Sequence, residues 1–414
     1  MHRRHNIGAL LVGLIVTTVS LAQEWPQWRG PDRTGVSADK NLLDQWPAGG
    51  PPLLWTAEKA GQGFSSVSIH DGRMYTRGNR GNNEFIIAYD VSNGKQLWAK
   101  RIAKAYKNRY GDGPRCTPTV DGDRVYALGA NGDLWCLDAK SGKKKWRNNI
   151  LKRFGGKNIR WGISESPLID GERLIVACGG KNGGVVALNK ETGKLIWRCK
   201  EVPDDPGYAS ALVRDVGGVR QIIHFVAGGA LGIRAADGKL LWRYDNVANR
   251  IANCTTPVYQ DGYLFLTAGY DSGAALLKLT SNGDTTDAEE VYFTRNMINH
   301  HGGVILVDGY VYGFSSNTLM CLDFKTGKRM WRDRSVGKGS LTCADGKLIC
   351  VSEGGTIGLA EATPEQYREI SRFDWEPRQK NFWAHPVVAG GRLFLRNGDQ
   401  IRCYDLRASG SEQG

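Results

Sequence analysis

Short apolar runs separated by glycine-centred turns recur along the whole chain. Residues 117–148 show one complete unit: an apolar pair at Thr119 and Val120, a D-G-D turn, RVYALG, a turn at Asn131-Gly132, LWCLD, a K-S-G-K turn and KKWRN. This reads as four strands of about four to six residues joined by tight hairpins, in which glycine supplies the positive φ that such turns demand. The unit returns in phase as AYDVSNGKQLW (88–98), CLDAKSGKKKW (136–146), ALNKETGKLIW (187–197), GIRAADGKLLW (232–242) and CLDFKTGKRMW (321–331). A period of about 40–50 residues made of β-type runs predicts a radial array of antiparallel four-stranded sheets, a β-propeller. The tryptophan at one fixed place on each last strand is expected to fill the wedge between neighbouring blades.

Weaker units follow from spacing. EEVYF, ending at Phe293, and REISRF, ending at Phe373, each close a run that carries the same D-G hairpin, at Asp261-Gly262 and Asp345-Gly346. The run HPVVAGGRLFLRNGDQIRCYDL (385–406) supplies three strands and no fourth, whereas PPLLWTAEK around Trp55 is a last strand without its first three. The N-terminal strand is therefore expected to complete the final blade, which closes the ring and removes a sticky edge. Closing strands at Trp55, Trp98, Trp146, Trp197, Trp242, Phe293, Trp331 and Phe373 predict an all-β, eight-bladed propeller over residues 51–408, with a short tail at 409–414.

Residues outside this array have a different character. MHRRH, the apolar run IGALLVGLIVTTVSL and the small-residue site Ser20-Leu21-Ala22 read as a secretory leader over 1–22, with an apolar run too short to span a bilayer comfortably and no cysteine for lipid attachment. A periplasmic or secreted monomer with no transmembrane segment is expected. Residues 23–50, containing WPQWRGPDRTGVS, lack strand periodicity and are expected to lie on the ring as an arm anchored by Trp25 and Trp28. Nine cysteines in an exported chain invite disulfides. Yet Cys136, Cys321 and Cys403 occupy one repeat position in separate blades, Cys178 and Cys199 have a strand between them, and Cys343 and Cys350 sit diagonally across a hairpin. Free, buried thiols follow, with no metal clip and no haem-attachment spacing.

The net charge of +13 is concentrated: residues 95–160 hold seventeen Lys or Arg against five Asp. Lys143, Lys144, Lys145, Arg147, Lys152 and Arg153 belong to this stretch. It is either a solvated rim or a docking sector for an envelope or extracellular protein or an anionic glycan. Nucleic acid is not an expected partner outside the cytoplasm.

Aligning the units on their first hairpin places one residue pair per blade at a mouth of the central channel. These pairs include Arg115-Cys116, Ser164-Glu165, Tyr208-Ala209, Asn253-Cys254, His300-His301 and Trp383-Ala384, the last followed by His385. Packing does not require Arg, Glu, Tyr, Asn and His at equivalent positions, so Arg115, Glu165, Tyr208, Asn253, His300, His301 and His385 are candidates for a polar pocket, against the plainer reading of wet channel filler. Trp161 and Trp383 flank the same mouth, where an indole face can stack on a planar cofactor or a sugar. Neighbouring residues on a strand face opposite ways, which argues against His300 and His301 sharing a metal; none is expected.

The unit A-x-D-x-x-T-G-K-x-x-W resembles the pyrrolo-quinoline quinone (PQQ) repeat of the quinoprotein alcohol dehydrogenase-like superfamily. The resemblance covers about residues 51–408 and implies the same propeller. It is also similar to the eight-bladed lipoprotein of outer-membrane β-barrel assembly, a scaffold without catalysis, and the arm with RWGISESPLIDG and HHGGVILVDGYVYG resembles secreted PQQ-repeat proteins of planctomycete-type bacteria. Quinoprotein dehydrogenases add a vicinal cysteine pair and a calcium ion held by Glu, Asn and Asp; no Cys-Cys is present here, and Glu165 and Asn253 lack the surrounding motif. The resemblance therefore implies a non-catalytic binding or scaffolding module with no cofactor. The alternative is an oxidoreductase using PQQ with calcium, with Trp161 or Trp383 as stacking floor and His301 or Glu165 as base.

Overall fold

Within one blade, burial follows strand position. In the second blade, Arg124–Leu128 and Asp133–Asp138 are buried on both faces, whereas the outer Lys144–Asn149 alternates between exposed and half-buried. Middle strands are sandwiched by neighbouring blades, which is why they read as continuous apolar runs rather than as an alternation. The computed structural model describes residues 24–377 and 381–408. The expected leader (1–22) and tail (409–414) lie outside them.

Eight sheets stand around one axis, each meandering outward from a short inner strand. In chain order they occupy 68–104, 119–149, 168–199, 212–244, 258–294, 304–333 and 339–374, and the eighth joins 387–405 to Leu53–Ala57. The ring closes there in antiparallel register, Trp55 opposite Cys403. The nine cysteines are free, and all but Cys254 are buried.

The recurring tryptophan and glycine explain each other. Trp55, Trp98, Trp146 and Trp197 each lie against the turn glycine of the next blade, at Gly94, Gly142, Gly193 and Gly238. At Gly142, for example, φ is +66° and an added Cβ would fall 2.7 Å from the Trp98 ring, so both backbone and space exclude a side chain. Each of these indoles also donates to a carbonyl of that turn, as in Trp98 Nε1 to Ala139 O at 3.1 Å and Trp146 Nε1 to Lys190 O at 2.9 Å. Trp242 departs from the rule and bonds Gln221 of its own blade.

Two closing strands, at Phe293 and Phe373 as expected, do not carry these phenylalanines at the bulge as the tryptophan repeats carry their indole. In the fifth blade Tyr292, not Phe293, pairs at the strand bulge, covers Gly327 and donates to Phe324 O at 2.9 Å. Phe293 points outward and is 40% exposed. In the seventh blade that register position is Ser371, and Trp46 of the arm fills the neighbourhood, its ring 5.5 Å from Phe373. A five-residue helix, Ile150–Phe154, follows the second blade's outer strand, capped by the Asn149 side chain; strand patterning had not anticipated it.

The largest correction concerns the arm. It does not lie on the ring but packs into the axial channel, and between Trp25 and Asp39 it touches every blade. Trp25 bridges Ile69 of the first, and Pro26 O accepts from Val120 N of the second at 2.7 Å. Arg33 donates to the carbonyls of Ser166, Pro167 and Ala211 at the third and fourth. Trp28 bonds Thr256 of the fifth and Arg29 bonds Val304 O of the sixth. Val36–Ser37 adds a parallel strand to the seventh blade, and Asp39 accepts from Gly391 N of the eighth. Buried arginines without a carboxylate are retained here because exposed backbone carbonyls of the inner strands need donors and the arginines supply them.

Candidate functional site

The segments that precede the inner strands converge on one mouth, and the arm floors it. A cavity of about 520 Å³ results, within the usual range of small-ligand sites, about 300–1,000 Å³. Of the residues singled out from sequence, Arg115, Trp161, Tyr208, His300, His301, Trp383 and His385 line it. Glu165 and Asn253 lie behind the wall. Glu165 is 2% exposed and is spent on Ala177 N (2.6 Å) and His224 Nε2 (2.8 Å). Asn253 donates to Val226 O and Ala227 O and accepts from Asn249 N, holding the loop rather than facing the opening.

Aromatic rings form most of the wall. One arc runs Tyr110, Trp161, Tyr208, with centroids 6.0 and 5.6 Å apart. The other runs Tyr270, His300, His301, Trp383, Phe64, with separations of 4.6–5.4 Å. Trp28 of the arm packs 4.5 Å from His385 at the floor. Tyr110, Ile251 and Tyr270 stand exposed at the rim.

Behind the second arc, Glu353 Oε1 accepts from His301 Nε2 (2.7 Å), Trp383 Nε1 (3.0 Å) and Lys338 Nζ (3.1 Å). Burial opposes ionisation of Glu353, but hydrogen bonds and charge from His301 and Lys338 outweigh it and hold its carboxyl down at about 2. His385 donates from Nε2 to His301 O at 2.8 Å, which fixes its tautomer and leaves a buried Nδ1 without a protein partner. Burial, with the Arg29 charge nearby, pushes its pKa down to about 3. His300, bonded to Tyr270 Oη, is pushed to about 3 by burial and then by His301 and Lys338. Burial raises the Cys254 thiol and the Tyr208 phenol to about 12.

The basic residues of the 143–153 stretch are elsewhere, on the outer strand, the turn that precedes it and the short helix. Lys145 pairs with Asp123 at 2.8 Å, Arg147 covers the Trp135 ring, and Arg153 bonds Gly193 O. Lys143, Lys144 and Lys152 are exposed.

Sequence alignment on the first hairpin missed several site residues. Tyr270 and Glu353 both lie in the second hairpin of their blades, the fifth and the seventh, a turn that alignment on the first hairpin does not examine. Trp28 carried no such signal, because nothing in the repeat relates to the arm.

A calcium–quinone pair, which the dehydrogenase resemblance implies, needs carboxylate and amide oxygens turned into the cavity. No Asp or Glu is among the described lining residues, Glu165 and Asn253 are committed as above, and no group of three His, Cys, Asp or Glu among the described residues could hold a metal ion. The residues present do not fit that pair.

The family described as outer membrane protein assembly factor BamB matches residues 82–333. The BamB of Burkholderia pseudomallei is 24% identical over 259 residues, 60% of this chain and 60% of that protein. Quinohemoprotein alcohol dehydrogenase ADH IIB of Pseudomonas putida is 32% identical over 150 residues, 33% of this chain and 20% of the enzyme. The crystal structure of BamB from Moraxella catarrhalis superposes with a TM-score of 0.61 at 15% identity, covering 87% of this chain and 99% of that one; at that identity the likeness concerns the fold. The sequence match spans well over half of the chain, and the protein belongs to the family described as outer membrane protein assembly factor BamB, propellers built on the PQQ-type repeat.

Proposed function

We propose that this is a non-catalytic binding or scaffolding propeller of the bacterial envelope, which engages a protein or glycan partner through the aromatic mouth. The observation that carries this reading is the state of the mouth's polar groups. A general base needs a lone pair free and a pKa near neutrality, whereas Glu353 has three donors on one oxygen. His300 and His385 are held neutral and weakly basic, and the Cys254 thiol is held protonated. Groups arranged in this way orient one another and the rings beside them. Relatives named as outer membrane assembly factors support a scaffolding role in the envelope. No helix among the described residues is long and apolar enough to cross a membrane.

The competing reading, a quinoprotein-like oxidoreductase, draws on the segment shared with alcohol dehydrogenases and on the indoles of Trp161 and Trp383. Purified protein incubated with PQQ and calcium, then offered alcohols and aldoses with an artificial electron acceptor, separates the two. Dye reduction no faster than the protein-free control is expected. Sustained turnover that Trp383→Ala abolishes would overturn the binding reading.

A further inference from the structure

Two guanidinium groups, Arg115 and Arg160, line the mouth cavity, and no carboxylate among the described residues lines it with them. Neither forms an ion pair among the described residues. Arg115 donates only to the carbonyls of Gly113 and Gly111, each at 3.2 Å, and lies 5.2 Å over the Phe64 ring. Arg160 lies 4.9 Å over the Trp161 ring. Some exposed arginines elsewhere on this propeller are paired, as Arg243 is with Asp204 and Asp245, or Arg368 with Glu361 and Glu365, and others such as Arg147 lie over a ring; what sets Arg115 and Arg160 apart is that both line one cavity. One side chain, Tyr106, contacts both residues. The Tyr106 ring sits 5.9 Å from the Arg115 guanidinium, while its hydroxyl donates to Arg160 O at 3.2 Å. Asn108 donates to the same carbonyl.

A cation removed from water without a counter-charge is costly, and burial depresses the pKa of Arg115 for that reason. A guanidinium fork matches a carboxylate in geometry and charge, and such bonds are among the strongest neutral-pH contacts available to a ligand. The rest of the wall selects the body of that ligand. Neighbouring rings are tilted by 39–82° to one another. A flat fused-ring acid would need parallel faces above and below it, whereas a chain of pyranose rings presents C–H faces in several directions and can meet tilted indoles and phenols.

We infer that the mouth cavity binds an acidic saccharide, with sugar faces against Trp161, Tyr208 and Trp383 and uronate carboxylates met by Arg115 and Arg160. This rests on the binding reading above and names its ligand class. It also gives part of the concentrated basic charge a place, since Arg115 and Arg160 fall within the 95–160 stretch but face the mouth rather than the outer edge.

Calorimetric titration with trigalacturonate, its fully methyl-esterified form and naphthalene-2,6-dicarboxylate tests it. The acid trimer is expected to bind at least tenfold more tightly than the ester, with affinity falling as salt rises. Arg160→Gln, a change at an exposed head group, should bring the acid trimer to the level of the ester while the thermal midpoint stays unchanged. Equal affinity for acid and ester, no saccharide binding, or tighter binding of the naphthalene acid would each overturn the inference. Absence of saccharide binding leaves the non-catalytic reading to the dye-reduction assay, so the two can fail separately.

Discussion

At the seam between the first and second blades, Trp98 covers Gly142 and bonds Ala139 O; one seam on, Trp146 covers Gly193 and bonds Lys190 O. Along the axis nothing repeats. Arg33 finds carbonyls of two blades, Arg29 of a third, and Trp28 reaches a threonine of a fourth before forming the cavity floor. The seams are equivalent because each must hold two similar sheets at one angle, and one solution suffices. The axis is singular because a single arm fills a pseudo-symmetric channel, and it leaves one mouth with an acid-free, aromatic wall. Packing contacts are distributed around the ring, whereas the aromatic cavity is gathered at one point of broken symmetry.

This contrast can be broken most forcefully at a seam. Trp331→Ala removes a buried indole and its bond to Thr363 O, and should lower the unfolding free energy in urea by about 3–5 kcal/mol, with ligand affinity unchanged once the protein is folded. Acid offers the next lever, and it acts at the mouth. His300 and His385, held near 3 when folded against 6.5 when free, bind fewer protons in the native state than in the unfolded one. Their contribution is therefore complete above pH 6.5 and is lost as pH falls from there towards 3. Between pH 6 and 4, His300→Phe should flatten the dependence of stability on pH by about 1.4 kcal/mol per pH unit, one proton's worth. Glu353 behaves in the same direction at lower pH, its stabilisation present above 4.5 and lost towards 2.

A smaller change sharpens the comparison within the seams. Tyr292→Phe deletes the hydroxyl bond to Phe324 O and should cost about 1 kcal/mol, while Phe293→Ala, at an outward-facing ring, should change chemical denaturation by less than about 0.5 kcal/mol. A reversed order would mean that the docking aromatic of the fifth blade is misassigned. The smallest effect on stability is expected from Lys143→Glu with Lys144→Glu, exposed where the turn enters the outer strand, which should leave both the unfolding midpoint and trigalacturonate affinity within error.

What could be read from the chain divides along the same line. Blade number, closure at Trp55 and the seam tryptophans were legible because the fold imposes the same demand at each repeat, and residues in phase record it. Spacing placed the fifth blade's closing strand at Phe293 but did not say which of its two adjacent aromatics docks, because the bulge sets the register to the residue. Seven mouth residues followed from one hairpin alignment, but Glu165 and Asn253 share that alignment and are consumed by local hydrogen bonds. Polarity at the right position does not say which way a side chain turns. The course of the arm was illegible for a deeper reason. Its anchors are Arg29 and Arg33 on backbone carbonyls, and carbonyls carry no residue-specific mark.

The separation of seam from mouth is tested most directly by measuring trigalacturonate affinity and urea stability together for Trp161→Ala and Trp331→Phe. Trp161→Ala is expected to lose at least tenfold in affinity with its denaturation midpoint nearly unchanged, and Trp331→Phe to lose stability with affinity intact. Loss of affinity in the seam variant, or full affinity in the mouth variant, would contradict the account.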